Sequence, residues 1–290
     1  MTAIEALLGG LVDYAGLFPP AELDMLTAVK NYASYRSGDH AWMLGRFIVP
    51  APRLTEFTRA FNEACCDEQG TPWLLSVISS GDANEDARLM ENFSEGAAFL
   101  QSAECKVENT AQCEQMVLAA PAELAVYAEF SPAECDAMLP VLKRLDARAK
   151  IRTGGIRSNA FPSAERVAHF LVSCAAAKVG FKATAGLHHP LRSVHKLTYE
   201  AESGSTLMHG FINVFVAAMV AYYGASQEDV LMVLLEDSPE SFEWDKHALA
   251  WRNQKFSVEQ IRDARENFAT SFGSCSFTEP VEGLRALGWL

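Results

Sequence analysis

Short apolar runs alternate with helical patterns along most of this chain, and that alternation limits the possible folds more than any other feature. The runs cover residues 12–18, 45–49, 73–78, 104–108, 124–129, 149–153, 179–184 and 269–277. From the second to the seventh they start roughly 20–35 residues apart, the length of one strand, one helix and their loops. Strands separated by helices pair in parallel, with the helices covering the sheet. Eight such units predict an α/β fold, a closed (β/α)8 TIM barrel, with an open doubly wound sheet as the rival. No GxGxxG follows an early strand and no GxxxxGK[ST] loop occurs, which weakens any nucleotide-binding reading.

The intervening helices carry their own marks. Leu54, Phe57, Phe61 and Ala64 fall on one stripe, as do Val167, Phe170, Leu171 and Cys174. Ser131-Pro132-Ala133-Glu134 places an N-cap serine, an N1 proline and an N3 glutamate, and Ser257 with Gln260 repeats the capping-box spacing. Gly154-Gly155 closes the sixth run where the backbone must bend tightly. No linker divides the chain, so residues 1–290 are expected to form one barrel domain. Residues 206–256 break the pattern with two consecutive extra helices before the last strand and an excursion around Trp244 and Trp251. That segment is a lid, a homo-oligomer contact or a surface insertion.

With 290 residues the chain is long enough for one large barrel, and its net charge of −13 argues against nucleic acid or an anionic membrane as partner. A small anionic metabolite needs only a local cationic pocket. The start of the chain lacks the basic residues of a signal peptide. The seven cysteines, Cys65-Cys66 adjacent among them, form no CxxC pair, as expected of reduced thiols in the cytoplasm. The most apolar stretch, residues 211–223, contains Asn213 and is short for a bilayer, so it reads as a buried helix.

Chemistry concentrates where the predicted strands end. Lys182 and Thr184 share a face of the seventh run, and His188-His189-Pro190 follow in the loop. The same alternation pairs Lys106 with Glu108, Tyr127 with Glu129, and Lys150 with Arg152. Buried charges persist only when paired. Glu108, Glu129, Arg152 and Lys182 would neutralise one another around a common cavity, as a site or as a structural ion-pair network. A desolvated lysine beside another cation loses basicity, and its free amine attacks carbonyls. On this reading Lys182 is nucleophile or electrostatic anchor, Glu108 and Glu129 move protons, and Arg152 binds a carboxylate or phosphate. His188 or His189 relays protons, and Lys182→Ala is expected to abolish turnover with the fold intact. Gly273 and Ser274, leading into a short helix, resemble an anion cradle. Arg46, Asp13 and Tyr14 are placed to reach the mouth, and His209 and Asn213, one turn apart, point into the pocket or are satisfied in the core.

Two alternatives stay open. His188 and His189 with Glu108 and Glu129 would suit a divalent metal in a hydrolase or isomerase, with His195 and His209 as further ligands. A non-catalytic barrel would instead bind a ligand or partner through residues 206–256, with its ionisable groups locked in salt bridges and no open cavity.

Two family resemblances bear on these residues. Lys106-Val107-Glu108-Asn109, Glu129-Phe130-Ser131-Pro132 and Arg152-Thr153-Gly154-Gly155-Ile156 resemble the middle of the barrel domain of quinolinate phosphoribosyltransferases, where similar segments surround a pyridine dicarboxylate and a phosphoribosyl donor. That family has an aspartate where this chain has Glu129. Lys150-Ile151-Arg152-Thr153-Gly154-Gly155 and Phe181-Lys182-Ala183-Thr184-Ala185-Gly186 are similar to the paired lysine strands of class I aldolases of the deoxyribose-phosphate type. There one lysine forms the Schiff base and the other tunes it, which makes Lys150 or Lys182 the covalent residue. Together these readings lead to an expected lyase of the aldolase kind, acting without a redox cofactor on a small anionic carbonyl compound.

Overall fold

The structure, a computed structural model, describes residues 1–64, 71–94 and 96–290. Helix α1 (Ala3–Leu8) leads into β1 (Val12–Tyr14), and strand–helix units follow in order: α2 (Met25–Arg36), β2 (Leu44–Pro50), α3 (Leu54–Ala64), β3 (Trp73–Ile78), α4 (Ala83–Glu91), β4 (Ala98–Lys106), α5 (Thr110–Ala119), β5 (Ala125–Glu129), α6 (Cys135–Arg144), β6 (Arg148–Arg152), α7 (Ala164–Ala177) and β7 (Phe181–Thr184). The pattern then lengthens. A hairpin, β8 (Ser193–Lys196) and β9 (Ser205–Met208), precedes α8 (Phe211–Tyr222) and α9 (Gln227–Leu235). A three-stranded antiparallel sheet follows, made of β10 (Phe242–Trp244), β11 (Ala248–Trp251) and β12 (Gln254–Ser257). Then come α10 (Val258–Asn267), β13 (Ala269–Ser274) and α11 (Thr278–Ala286). Strands β1 to β7 and β13 close an all-parallel barrel, with β13 seated between β7 and β1. The fold is therefore the (β/α)8 barrel, and the open sheet is excluded.

Strand alternation sorts the residues. Side chains aimed at the helices are apolar: Phe47 and Val49, Leu75 and Val77, Phe181 and Ala183 are all buried. Tyr14, Tyr32, Phe47, Phe57, Phe61 and Trp73 interlock between the first strands and α2 and α3, with ring centroids as close as 4.5 Å. The alternate positions carry buried polar groups instead: Asp13, Ser76, Ser102, Glu104, Lys150, Lys182 and Ser271. A polar barrel interior costs desolvation unless its charges pair, so the mutual arrangement of these groups decides whether the barrel can close.

Some element boundaries differ from the sequence expectation. The fourth strand starts at Ala98 and stops at Lys106. The chain turns there because Asn109 caps α5, its side chain accepting from the Gln112 amide at 2.9 Å, while the Glu108 amide donates to the Gln112 side chain at 2.8 Å. Ser131 caps a 3-10 turn, Pro132–Glu134, that leads into α6, rather than an α-helix directly. Ser257 forms the expected capping box with Gln260. α8 is buried on every side because it lies between the barrel, α7 and α9, with Phe211 and Phe215 against Phe272 and Phe181. Among the described residues no helix is long and apolar enough to cross a membrane. Cys105, Cys113, Cys135, Cys174 and Cys275 are buried thiols, and Cys65 and Cys66 lie outside the described residues.

Candidate functional site

A cavity of about 730 Å³ opens at the C-terminal ends of the barrel strands. Its floor is the last part of a chain of alternating charges. The Arg46 guanidinium stands 3.5 Å from Asp13, and the Arg46 amide donates to the same carboxylate oxygen at 2.7 Å. Lys182 Nζ bridges Asp13 Oδ2 at 2.8 Å and Glu104 Oε1 at 2.5 Å. Lys150 Nζ bridges Glu104 Oε2 at 2.8 Å and Glu129 Oε2 at 2.9 Å. Arg152 Nε closes the series on Glu129 Oε1 at 2.8 Å. Hydroxyls of Ser271 and Ser76 donate to Asp13 and Glu104 at 2.7 and 2.6 Å.

Barrel register explains the order. Lys150 stands opposite Lys182 on β7 and opposite Glu129 on β5, and Glu129 stands opposite Lys106 on β4. Beyond the strands, Gly154 and Gly186 bring the loops after β6 and β7 into contact. A Cβ on Gly154 would lie 2.8 Å from the Gly186 Cα and 2.5 Å from the Phe161 ring, so a larger residue would part the two lysine strands at their mouth ends.

Burial opposes charge on every group in the series, and the opposite charges outweigh it. Asp13, Glu104 and Glu129 are held below the usual carboxylate range by Lys182, Lys150, Arg46 and Arg152. Lys150 and Lys182 are held above the usual lysine value by the carboxylates they bridge. The lowered lysine basicity expected from burial beside a second cation is therefore not what the site contains, because each ammonium sits between two carboxylates.

The two lysines differ in access. Lys182 is 0% exposed, sits 5.5 Å over the Tyr127 ring and does not line the cavity. Lys150, Glu104, Glu129, Arg152 and Lys106 do line it. The amine open to a ligand is thus Lys150, with Lys182 as the cation beneath. Of the expected set, Glu129 and Arg152 meet at the cavity, whereas Glu108 is exposed beyond the end of β4 and outside it. The inward glutamate of that strand is Glu104. Continued alternation from Lys106 would have pointed Glu108 inward, but the strand has already ended. Thr184 and Gly273 line the cavity, and Arg46 acts behind Asp13.

The opposite wall is built from loops. His188 Nδ1 lies 2.8 Å from Glu279 Oε2, and the Tyr199 hydroxyl donates to the same oxygen at 3.2 Å. His189 stacks on His195 with ring centroids 3.3 Å apart, and His195 Nε2 is 2.6 Å from the Ser193 hydroxyl. Burial pushes His189 down to about 4, with the neighbouring His195 and His188 adding to the effect. Glu279 was not foreseen from the sequence as a site residue. It sits in the first turn of α11, where the anion cradle was expected, and is held below the usual range by His188 despite its burial. Ser274 is buried, with its hydroxyl accepting from the Ser276 amide at 3.3 Å, so the expected cradle holds the protein's own groups.

His209 and Asn213 belong to the core. His209 Nε2 donates to the Pro162 carbonyl at 2.8 Å. Asn213 donates to the carbonyls of Val233 and Glu236 at 2.9 and 2.7 Å and accepts from the Arg192 amide at 2.9 Å, which ties α8 to the end of α9. Neither lines the cavity. From residues 206–256 only Met208 does, among the described residues; the wall is made instead by the hairpin residues His195 to Tyr199. His188 and His189 turn to different partners, and among the described residues no three His, Cys, Asp or Glu side chains are grouped to hold a metal ion. No protein-family model matches this chain, and a comparison with curated proteins finds none similar to it in sequence.

Proposed function

We propose that this barrel is a lyase of the class I aldolase kind, in which Lys150 forms a Schiff base with a small anionic carbonyl compound. The observation that carries this reading is the Lys150 ammonium, at the floor of an open cavity, bridging Glu104 and Glu129 at 2.8 and 2.9 Å and seated opposite a wholly buried second lysine. At rest the two carboxylates keep Lys150 charged. Attack needs the free amine, so a proton must first leave. Glu129 holds Lys150 on one oxygen and Arg152 on the other. An anionic substrate that pairs with Arg152 in place neutralises one of the charges that depress Glu129, which gains basicity and takes the Lys150 proton.

The remaining steps follow from that transfer. The Lys150 amine adds to the carbonyl carbon and one N–H proton shifts to the oxygen. Glu129 returns its proton to the same oxygen, which leaves as water while the C=N bond forms. In the cleavage direction the Cα–Cβ bond breaks, its electron pair moves into the iminium to give an enamine, and the β-hydroxyl proton passes to His188, oriented by Glu279 at 2.8 Å. Protonation of the enamine carbon and hydrolysis release the second product and restore Lys150. Lys182, Asp13 and Glu104 hold the amine in place and set the field it reacts in.

Incubation with carbonyl compounds and borohydride tests the reading by whole-protein mass. One reduced adduct per wild-type chain, and none on a folded Lys150→Met variant, is the expected result. Aldol chemistry that persists in Lys150→Met would overturn it.

A further inference from the structure

The spacing of the charges at the cavity floor narrows the substrate. One carboxylate, that of Glu129, spans the gap between Lys150 and Arg152: one oxygen lies 2.9 Å from the ammonium and the other 2.8 Å from the guanidinium. A ligand that engages both cations must therefore present two oxygens about as close together as those of a carboxylate. Lys106, opposite Glu129 in the register and exposed at the rim, adds a third cation on the same side.

A more distant anion finds a poorer reception. At the end of β13, where a barrel of this kind would seat a phosphate, the first turn of α11 carries Glu279, and the Ser276 hydroxyl already accepts from the Glu279 amide at 3.2 Å. The Ser274 carbonyl accepts from the Ala15 amide at 2.7 Å. Glu279, shared with His188 and Tyr199, puts a carboxylate rather than a cation at that turn, and the Lys196 ammonium on the cavity wall already donates to the Ala201 carbonyl at 3.0 Å. Phe18, Pro19, Pro20, Ile48 and Ile78 also line the cavity and give it apolar surface suited to an uncharged carbon chain.

We infer that the carbonyl donor is a 2-oxo acid, its carboxylate held by Arg152 and its adjacent keto carbon presented to Lys150. In a 2-oxo acid the carboxylate and the keto carbon are joined directly, so the carboxylate can rest on Arg152 while the adjacent carbon meets Lys150, two cations close enough for a single carboxylate to bridge at rest. Arginine pairs with a carboxylate through two parallel N–H donors, so the keto carbon is fixed in direction as well as in distance. The inference rests on Schiff-base chemistry at Lys150, and it adds that the anion and the carbonyl are neighbours.

The test compares pyruvate with methyl pyruvate in borohydride trapping on the full chain. The ester keeps the keto group and loses the charge. Pyruvate is expected to be trapped at least about tenfold faster, the scale of a lost charge-assisted pair of hydrogen bonds. Arg152→Gln is expected to remove that preference while still trapping the ester, and Arg152→Lys to restore part of it. Equal trapping of acid and ester by the wild type, or a preference unchanged in Arg152→Gln, overturns the 2-oxo acid assignment and leaves the Schiff-base reading standing. Trapping of neither compound overturns the 2-oxo acid assignment, and the Schiff-base reading falls with it if other aldehydes and ketones also leave no adduct.

Discussion

Replacing Lys182 by methionine tests the division of labour between the two lysines. The side chain is 0% exposed and bridges Asp13 at 2.8 Å and Glu104 at 2.5 Å, both fully buried. Methionine nearly conserves the volume, so the cavity penalty is small and the change is chiefly electrostatic. Removing one partner of a buried ion pair costs about 3–5 kcal/mol. Here neither carboxylate is orphaned, because Asp13 keeps Arg46 and Ser271, and Glu104 keeps Lys150 and Ser76. The lower end, about 3 kcal/mol, is therefore expected. For a chain of this length that is a fall in Tm of about 5 °C. Lys150→Met removes a second buried bridge, and because Glu104 keeps Lys182 and Glu129 keeps Arg152 it is expected to cost a similar amount, about 3 kcal/mol. Without Lys182 the buried carboxylates bind protons more readily, so the deficit should narrow as pH falls toward 5. Urea unfolding followed by circular dichroism at pH 7 and pH 5 measures both effects. A Lys182→Met loss below about 1 kcal/mol, or a deficit that does not narrow as pH falls, would refute the reasoning.

Other outcomes follow from the same charges. Asp13, Glu104 and Glu129 are held below their ordinary values of 3.8 and 4.5, so their stabilisation is present above about pH 4.5 and is lost as pH falls through the folded-state values. Thermal melts that stay flat from pH 5 to pH 3 would contradict this. His189 is held neutral, pushed down from 6.5 to about 4, so it lowers stability as pH falls across that interval, and His189→Phe should flatten the slope there. Glu279→Gln should slow carbon–carbon cleavage and alter its pH profile while borohydride trapping continues, because His188 loses its orienting carboxylate; equal losses in both assays would count against that role. Arg265, buried on α10, donates to the carbonyls of Leu7, Gly9, Ala269 and Thr270, and Arg265→Met should cost several kcal/mol in urea unfolding, on the order of 3.

The barrel was legible because its strands are short, apolar and regularly spaced, and residues 73–78 read as a strand with the bounds it has in the structure. The floor of the site was half legible. Alternation correctly put Lys150 and Arg152 on one face, and lysine on adjacent strands marked the pair. Which lysine meets the cavity depends on depth along the strand, and no periodicity reports depth. Lys182 lies beneath Lys150 because Asp13 on β1 and Glu104 on β4 capture it in the interior. Glu108 was misplaced by the same limitation: alternation gives a face, while the Asn109 cap ends the strand before that face is reached. Glu104 carries a signal in hindsight: it lies two positions before Lys106, so the same alternation puts it on the face of Lys106. His188 and Tyr199 from loops and Glu279 from the first turn of α11 meet from three parts of the chain, and no local pattern predicts such a meeting. In residues 206–256 the two consecutive helices were legible and are α8 and α9, whereas the excursion around Trp244 and Trp251 forms a small sheet beside α1 that no pattern announced.

Peptide mapping of the borohydride-reduced protein tests the central claim most directly. After trapping with pyruvate and digestion, the added mass is expected on the peptide that carries Lys150, with the Lys182 peptide unmodified. Label on Lys182, or on surface lysines alone, would contradict the account.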